Sequence, residues 1–220
     1  MLLYIVRHGE TDLNSKGVLQ GHIDVPLNAS GIFLAEETGR NMRGIHFDRC
    51  ISSPLIRARK TVELILKESG NGDVPIETDE RIMEINGGVY EGRKLSEGPI
   101  PNGEARRFFT DPVHFAGFPG GETYDDVKKR TQDFLKDMCA ISDDKTYLIG
   151  IHGCAVRGML NCFYENQEDY WQGHVPYNCA VNIVEIRDGK AELIDRDKIY
   201  YDESYIVDCY ASPDEDKKQD

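Results

Sequence analysis

Two histidine–glycine pairs, each placed directly after a short apolar run, are the residues of this chain best suited to chemistry. His8-Gly9 follows the run Leu2 to Val6 and Arg7, and His152-Gly153 follows Thr146 to Ile151. Short apolar runs with β-branched and aromatic members are typical of buried strands. If the two strands are parallel neighbours, both imidazoles reach one sheet edge, where open α/β sheets bind ligands. The pattern predicts two histidines facing one small space.

Cationic and amide groups near these histidines favour a tetrahedral anion as the ligand. Arg7 provides a planar guanidinium suited to phosphate oxygens, Arg57 can add a second, and Asn14 offers amide donors. Gly9 and Gly153 allow close backbone approach. The helix expected after Gly153 directs its first amides and its positive dipole end toward the same space.

Phosphoryl transfer is the reaction that such a set of residues could perform. It requires mainly positioning and stabilisation of charge on the phosphoryl oxygens, which two arginines, a cationic histidine and an amide provide without a metal. A neutral imidazole is also a competent nucleophile toward phosphorus. A carboxylic acid must then protonate the departing alkoxide. Glu84, in an apolar stretch before a glycine-rich segment, is the candidate proton donor.

The elements that must position these residues alternate between strands and helices. The apolar runs predict strands at Leu2–Val6, Phe47–Ser52, Val74–Thr78 and Thr146–Ile151, then two edge strands, Ala180–Ile186 and Ala191–Ile194, around an Asp188-Gly189 turn. Periodicity predicts helices from Asn28 or Ser30 to Met42, from a Ser53 cap to Gly70, near Glu104–Phe109, from Thr123 to about Ile141, and over Ala155–Tyr164. This order predicts an α/β three-layer sandwich, with a mainly parallel sheet flanked by helices.

The length of 220 residues suits one domain, which we place at residues 1–211. Residues 86–121, rich in glycine and proline, are expected to form a small lid excursion over one sheet edge. The polar residues 212–220 are expected to be a disordered tail.

Composition limits the partners that this chain could have. A formal net charge of −13 disfavours binding to nucleic acid or to anionic membranes. No apolar run is long enough to span a bilayer or to form a signal peptide. The six cysteines show no CxxC spacing, which favours reduced thiols and a cytoplasmic location. A small phosphorylated metabolite is the expected substrate, and the oligomeric state is left open.

An ordered set of motifs resembles the histidine phosphatase superfamily, with its phosphoglycerate-mutase-like fold, over roughly residues 1 to 195. The motifs are Arg7-His8-Gly9-Glu10-Thr11, Asn14, Gln20-Gly21, Asp24-x-Pro26-Leu27-x-x-x-Gly31, Ser52-Ser53-Pro54-Leu55-x-Arg57-Ala58-x-x-Thr61, Glu84, Gly88-x-x-Glu91-Gly92, Pro119-Gly120-Gly121-Glu122 and His152-Gly153.

The resemblance implies a role for each matching position. His8 would become a phosphohistidine, and Glu84 would be the proton donor. The clamp on the phosphoryl group would comprise Arg7, Arg57 and His152, assisted by Asn14 and the Gly153 amide, with Gln20, Gly21 and His22 at the substrate entrance. No metal and no organic cofactor is implied. The sequence departs from the family pattern at Leu13, at Asn86-Gly87-Gly88 and at Cys154.

Three functions are compatible with this resemblance: a phosphatase of small phosphomonoesters, a cofactor-dependent phosphoglycerate mutase, and a non-catalytic module that binds phosphorylated ligands. Glu84 disfavours the module, because binding alone needs no proton donor. The short excursion and the run Phe109-Thr-Asp111-Pro112 favour the phosphatase branch. Glu122 could cap the following helix or brace a site arginine. Phe108 and Phe109 are expected to pack within the lid rather than stack on a ligand.

Overall fold

A six-stranded sheet is the centre of the fold in the computed structural model, which describes residues 1–99, 102–141 and 143–207. Its strands are β1 (Leu2–Arg7), β2 (Arg49–Ser52), β3 (Ile76–Thr78), β4 (Thr146–Ile151), β5 (Val181–Arg187) and β6 (Lys190–Lys198), in the spatial order β3-β2-β4-β1-β5-β6. Strands β1 to β4 are parallel, whereas β5 and β6 add to the sheet antiparallel. The prediction of a mainly parallel sheet is confirmed.

Helices cover both faces of this sheet. They are α1 (Asp12–Ser15), α2 (Ala29–Asn41), α3 (Ile56–Ser69), α4 (Asn102–Thr110), α5 (Tyr124–Ala140) and α6 (Gly153–Leu160). Short 3₁₀ turns lie at Glu80–Ile82, Gly88–Tyr90, Leu95–Glu97, Pro112–His114, Asn161–Phe163 and Glu203–Tyr205. In the part of the chain described, no helix is both long enough and apolar enough to cross a bilayer.

The pleat of β1 divides the core into two layers. Leu3 and Ile5 belong to the apolar cluster that contains the buried residues of α5 and α6, whereas Val6 belongs to the cluster beneath α3. Successive side chains of a strand point to opposite faces, so one strand contributes to both layers. The predicted three-layer α/β sandwich is therefore confirmed.

Local sequence signals set several helix ends. The Asn28 side chain accepts a hydrogen bond from the Gly31 amide at 2.8 Å and caps α2. Gly70 ends α3 with φ of 86°, the left-handed conformation that glycine adopts without steric cost. The prediction that Ser53 caps α3 is wrong. Leu55 occupies the N-cap position without a side-chain hydrogen bond, and Ser53 lies outside the helix, in the site described below.

Strand β5 is internal, which corrects its prediction as an edge strand. It pairs with β1 on one side and with β6 on the other, and six of its seven residues are buried or partly buried. The predicted turn between them is present, with φ of 51° at Asp188 and 72° at Gly189. The apolar residues on both faces of β5 are what an internal strand requires.

The predicted lid excursion contains α4 and three of the 3₁₀ turns among its described residues. An aromatic cluster joins it to the rest of the fold, and the indole of Trp171 donates a hydrogen bond to the carbonyl of Phe108 at 2.7 Å. The predicted tail, 212–220, lies outside the described residues, so the limits of the domain stay a prediction. The five described cysteines are free thiols, of which Cys50, Cys154 and Cys179 are buried.

Candidate active site

The two histidines of the repeated motif meet at the carboxyl ends of neighbouring strands. Strands β1 and β4 pair in parallel, with Arg7 opposite Ile151, and the His8 amide donates to the Ile151 carbonyl at 2.9 Å. This register carries both side chains into one space, where the ring centroids of His8 and His152 are 5.1 Å apart. The structure thus brings together the pair that the sequence placed after separate strands.

His8 is held in a defined tautomer. Its Nδ1 lies 2.7 Å from the carbonyl oxygen of Gly9, which can only accept a hydrogen bond. The proton of the neutral ring therefore resides on Nδ1, and Nε2 carries the lone pair. Burial, then the charges of Arg57 and Arg7, hold the pKa of His8 well below its usual value. The ring is neutral at pH 7 and has a nucleophilic nitrogen.

His152 is fully buried and contacts Ser53, whose hydroxyl is 2.8 Å from Nε2. Burial lowers the pKa of this ring, and the charge of Arg57 and the proximity of His8 lower it further. The sequence led us to expect a cationic histidine at this position, but these surroundings favour the neutral ring near pH 7. A phosphate dianion would act in the opposite direction, because a nearby opposite charge favours the protonated form.

Two buried guanidinium groups flank the histidines. Arg57 donates from Nη1 to the carbonyl of Ile23 and from Nη2 to that of Gly21, both at 2.8 Å, and is fully buried in α3. Arg7 donates from Nη1 to the carbonyl of Pro176. These backbone contacts fix the orientation of each planar group, so both present fixed positive charge to the same pocket.

The amide side chains of Asn14 and Gln20 lie beside this charge and share one partner. The Thr11 hydroxyl is 3.1 Å from Oδ1 of Asn14 and 2.8 Å from Oε1 of Gln20. Both residues are buried and line the pocket. Because a carboxamide oxygen can only accept a hydrogen bond, these contacts determine which end of each side chain faces Thr11.

The three glycines of the predicted site have different roles. Gly21 has φ of +53°, and a Cβ there would lie 2.1 Å from the Glu91 carboxylate. A Cβ on Gly9 would lie 2.5 Å from the Gly31 carbonyl, so Gly9 permits the close approach of α2 rather than of a ligand. Gly153 lines the pocket, where a Cβ would make ordinary contact with Arg7 at 3.4 Å.

The carboxylate of Glu84 lies at the start of α6. Its Oε1 accepts the amide of Ala155 at 3.1 Å, and its Oε2 accepts that of Cys154 at 3.3 Å. Helix N-termini favour such negative groups. The first-turn amides that we expected to face a phosphoryl group are therefore largely engaged by Glu84, which is half-buried and also lines the pocket.

Sequence reasoning missed the residue that holds the Glu84 segment. Arg130 of α5 pairs with Glu122 and donates to three backbone carbonyls, including that of Glu84 at 2.9 Å. Glu122 is thus not the cap of α5, a position that Thr123 occupies, and it braces an arginine that the sequence analysis did not identify. The spacing of eight residues between Glu122 and Arg130, about two helical turns, was the available signal.

The other predicted entrance residue, His22, is turned toward the Glu84 segment. Its Nε2 lies 2.9 Å from the Glu84 carbonyl, and its amide donates to Glu91 at 2.7 Å. His22 is absent from the pocket lining, which includes Gln20 and Gly21.

The pocket has a polar end and an apolar wall, with about 430 Å³ of empty space. The polar end is formed by Arg7, His8, Asn14, Gln20, Gly21, Arg57, Glu84 and Gly153, and the wall by Leu19, Ile85, Phe108, Phe109, Cys154, Trp171 and Val175. Phe108 and Phe109 pack on each other with centroids 4.7 Å apart, as expected for a lid, and both also face the pocket. Among the described residues, no group of three or more histidine, cysteine, aspartate or glutamate side chains could hold a metal ion.

Known proteins are similar to this chain in both sequence and architecture. A broad-specificity phosphatase of Saccharomyces cerevisiae is 32% identical over 88% of this chain and 84% of its own length. The fructose-2,6-bisphosphatase TIGAR of Bos taurus is 38% identical over 63% of this chain, although the match spans only 51% of that relative. Bacterial phosphoglycerate mutases are also among the relatives.

The solved structure of YhfR from Bacillus stearothermophilus superposes with a TM-score of 0.81 and 27% identity, covering 90% of this chain and 97% of that one. The fold is thus phosphoglycerate-mutase-like, as predicted. The family model described as the histidine phosphatase superfamily (branch 1) matches residues 3–197. The chain therefore belongs to the histidine phosphatase superfamily and is an enzyme of the histidine-type phosphoric monoester hydrolase class.

Proposed function

We propose that this enzyme hydrolyses small phosphomonoesters through a phosphohistidine on His8, with Glu84 as the proton donor. One observation carries the proposal: the Gly9 carbonyl holds the proton of His8 on Nδ1, so Nε2 is a nucleophile beside two guanidinium groups. The phosphatase relatives support hydrolysis as the outcome.

In the first step, Nε2 of His8 attacks phosphorus in line with the ester oxygen. The N–P bond forms as the P–O bond to the alcohol breaks, and the proton of the Glu84 carboxylic acid passes to the departing oxygen. Arg7 and Arg57 stabilise the charge on the phosphoryl oxygens, because their orientation is set before the substrate arrives. His152, Asn14, Gln20 and the Gly153 amide complete the clamp.

In the second step, water replaces the alcohol. The Glu84 carboxylate accepts a proton from the water while the water oxygen attacks phosphorus. The N–P bond then breaks, which releases inorganic phosphate and neutral His8. The same carboxyl group thus acts first as acid and then as base. Atoms and charges balance without any further group.

The pocket supports a substrate with one phosphoryl group and an alcohol part that carries no second anion. Arg7 and Arg57 are the two cations among the described lining residues, and both belong to the polar end. A second phosphate or carboxylate would lie against Phe108, Phe109 and Trp171, where an unpaired charge is costly. An apolar or aromatic alcohol would instead bury surface there.

The phosphoglycerate mutase alternative has support from the mutase relatives. A mutase must bind the carboxylate of the glycerate as well as its phosphoryl group. None of the four cations in the described part of the excursion lines the pocket: Arg93, Lys94, Arg106 and Arg107. Arg93 and Lys94 are exposed, and Arg107 pairs with Glu104 at 3.2 Å. This distribution of charge favours hydrolysis over phosphoryl return.

A substrate panel with free-phosphate detection tests the proposal. We expect kcat/KM for phenyl phosphate to exceed that for 3-phosphoglycerate and for a sugar bisphosphate by about tenfold or more, which corresponds to about 1.4 kcal/mol. Rapid quench in alkaline denaturant should trap an acid-labile, base-stable label on His8, and His8→Ala should abolish both label and turnover. Interconversion of 3-phosphoglycerate without phosphate release would support the mutase. Tight binding without turnover of any ester would support the binding module.

A further inference from the structure

Arg130 makes an unusual number of contacts with one short segment of backbone. From α5, its Nη1 donates to the carbonyls of Arg81 at 2.8 Å and Met83 at 2.6 Å, and its Nη2 donates to that of Glu84 at 2.9 Å. Only 18% of the side chain is exposed. Three backbone carbonyls between Arg81 and Glu84 are thus tied to a single guanidinium group.

Glu122 fixes Arg130 from the other side. The two groups pair in the bidentate geometry, with Nε 2.8 Å from Oε1 and Nη2 2.9 Å from Oε2. The Glu122 carboxylate also accepts the amide of Asn86 at 2.8 Å. Burial alone would raise the pKa of Glu122. The hydrogen bonds from Arg130 and from the Asn86 backbone outweigh this effect and keep the pKa below its usual value. The pair is therefore charged at neutral pH.

These contacts surround the residue whose carboxylate enters the pocket. The Glu84 carbonyl accepts from both Arg130 and His22, while its carboxylate lies against the amides of Cys154 and Ala155. We propose that Arg130, held by Glu122, is a positioning residue that sets the place of the Glu84 carboxyl group relative to the leaving oxygen. This inference rests on the proposed role of Glu84 as proton donor.

Only arginine can fill this position as the structure has it. All three of its nitrogens donate, and five donor–acceptor contacts hold the group in its plane. A lysine keeps the charge but has three donors on one nitrogen and cannot span the same acceptors. Arg130→Lys should therefore displace Glu84 without removing a cation. A displacement of about 1 Å can cost about 100-fold in rate.

A matched control lies on the same segment. Arg81 pairs with Asp79 at 2.8 Å and with Asp137 of α5 at 2.6 Å, so it also ties this segment to α5, but it does not contact Glu84. Arg81→Lys should weaken that connection without moving the carboxyl group.

The experiment measures kcat/KM for a series of aryl and alkyl phosphates, because this constant reports the step in which the alcohol leaves. Good leaving groups need little protonation, whereas alkoxides depend on the donor. For Glu84→Gln we expect a loss of about 100-fold or more on alkyl phosphates and of tenfold or less on 4-nitrophenyl phosphate. Arg130→Lys should show the same selectivity, with about tenfold to 100-fold on the alkyl esters. Arg81→Lys should show no difference between alkyl and aryl esters. The double variant Arg130→Lys/Glu84→Gln should be no more selective than Glu84→Gln alone.

Each outcome separates the two proposals. An equal loss on all esters for Glu84→Gln would remove Glu84 as donor, and the proposed function would fail at that point. A selective loss for Glu84→Gln together with an equal loss for Arg130→Lys would overturn the positioning role alone. If Arg130→Lys does not fold, Glu122→Gln is measured in its place. If neither Arg130→Lys nor Glu122→Gln folds while Arg81→Lys does, the positioning role is also overturned, because the pair is then needed for folding.

Discussion

The imidazole rings of His8 and His152 lie with their centroids 5.1 Å apart and their planes at 57°. Both rings are almost completely buried, and the charges of Arg57 and Arg7 act on both. A further positive charge beside these two guanidinium groups is unfavourable, which favours the neutral form of both rings near pH 7. In the proposed mechanism one ring is the nucleophile, and the other responds to the charge of a bound phosphoryl group.

Burial of these neutral rings predicts that folding stability falls in mild acid. The pKa of each is lowered in the folded protein from the ordinary value of 6.5, so the unfolded chain binds more protons as the pH drops below that value. The free energy of unfolding should decrease by up to about 1.4 kcal/mol per pH unit for each ring. Urea unfolding at several pH values between 7.5 and 5 measures the slope.

His8→Asn should reduce this slope, and His46→Asn, at a side chain that is 81% exposed, is the matched control. Equal slopes in the wild type and in His8→Asn would contradict the buried neutral state of His8.

Substitution of Arg57 tests the fixed guanidinium as the source of charge stabilisation. Arg57→Lys retains a cation but loses the fork that bonds the carbonyls of Gly21 and Ile23. We expect kcat/KM to fall by about 100-fold or more, the usual cost of one preorganised donor to a developing anion. Steady-state kinetics with phenyl phosphate measures the loss.

The control for this variant is Arg59→Lys, on the same helix but exposed to solvent. If both variants lose the same activity, the effect belongs to the helix and not to the pocket.

The apolar wall predicts how alcohol specificity changes on truncation of one ring. Phe109 is partly exposed and lines the pocket beside Trp171, with ring centroids 5.5 Å apart. Phe109→Ala should raise KM for phenyl phosphate by about tenfold, since loss of buried aromatic area costs about 1 to 2 kcal/mol. KM for methyl phosphate should change much less, because its alcohol does not reach the wall.

Val113→Ala, at a position 57% exposed on the lid, is the control for that comparison. A parallel rise in KM for both esters would mean that Phe109 supports the pocket without contacting the substrate.

Chelation should leave turnover unchanged. In the proposed mechanism, Arg7 and Arg57 supply the positive charge that a metal would otherwise provide to the phosphoryl oxygens. Initial rates after dialysis against EDTA should equal those of the untreated enzyme within error. A large loss that added Mg²⁺ or Zn²⁺ restored would show that the guanidinium groups are not sufficient.

The sequence by itself determined the elements and the residues that end them. Apolar runs before His8 and His152 marked two buried strands, Asn28 and Gly70 marked helix ends, and these features are local. The arginines and Asn14 could be assigned to one site because the ends of parallel strands share an edge. The ordered motifs identified the family, which the comparisons confirm.

Only the tertiary structure decided how those residues are held. Three contacts depend on atoms that packing brings together: the one that sets the tautomer of His8, the one between Ser53 and His152, and the one from the Arg130–Glu122 pair to the Glu84 carbonyl. Arg130 is 46 residues from Glu84 in the chain, and Ser53 is 99 from His152. Periodicity and capping signals act within a few residues, so they specify where each element lies but not which backbone carbonyl its side chains reach across the fold.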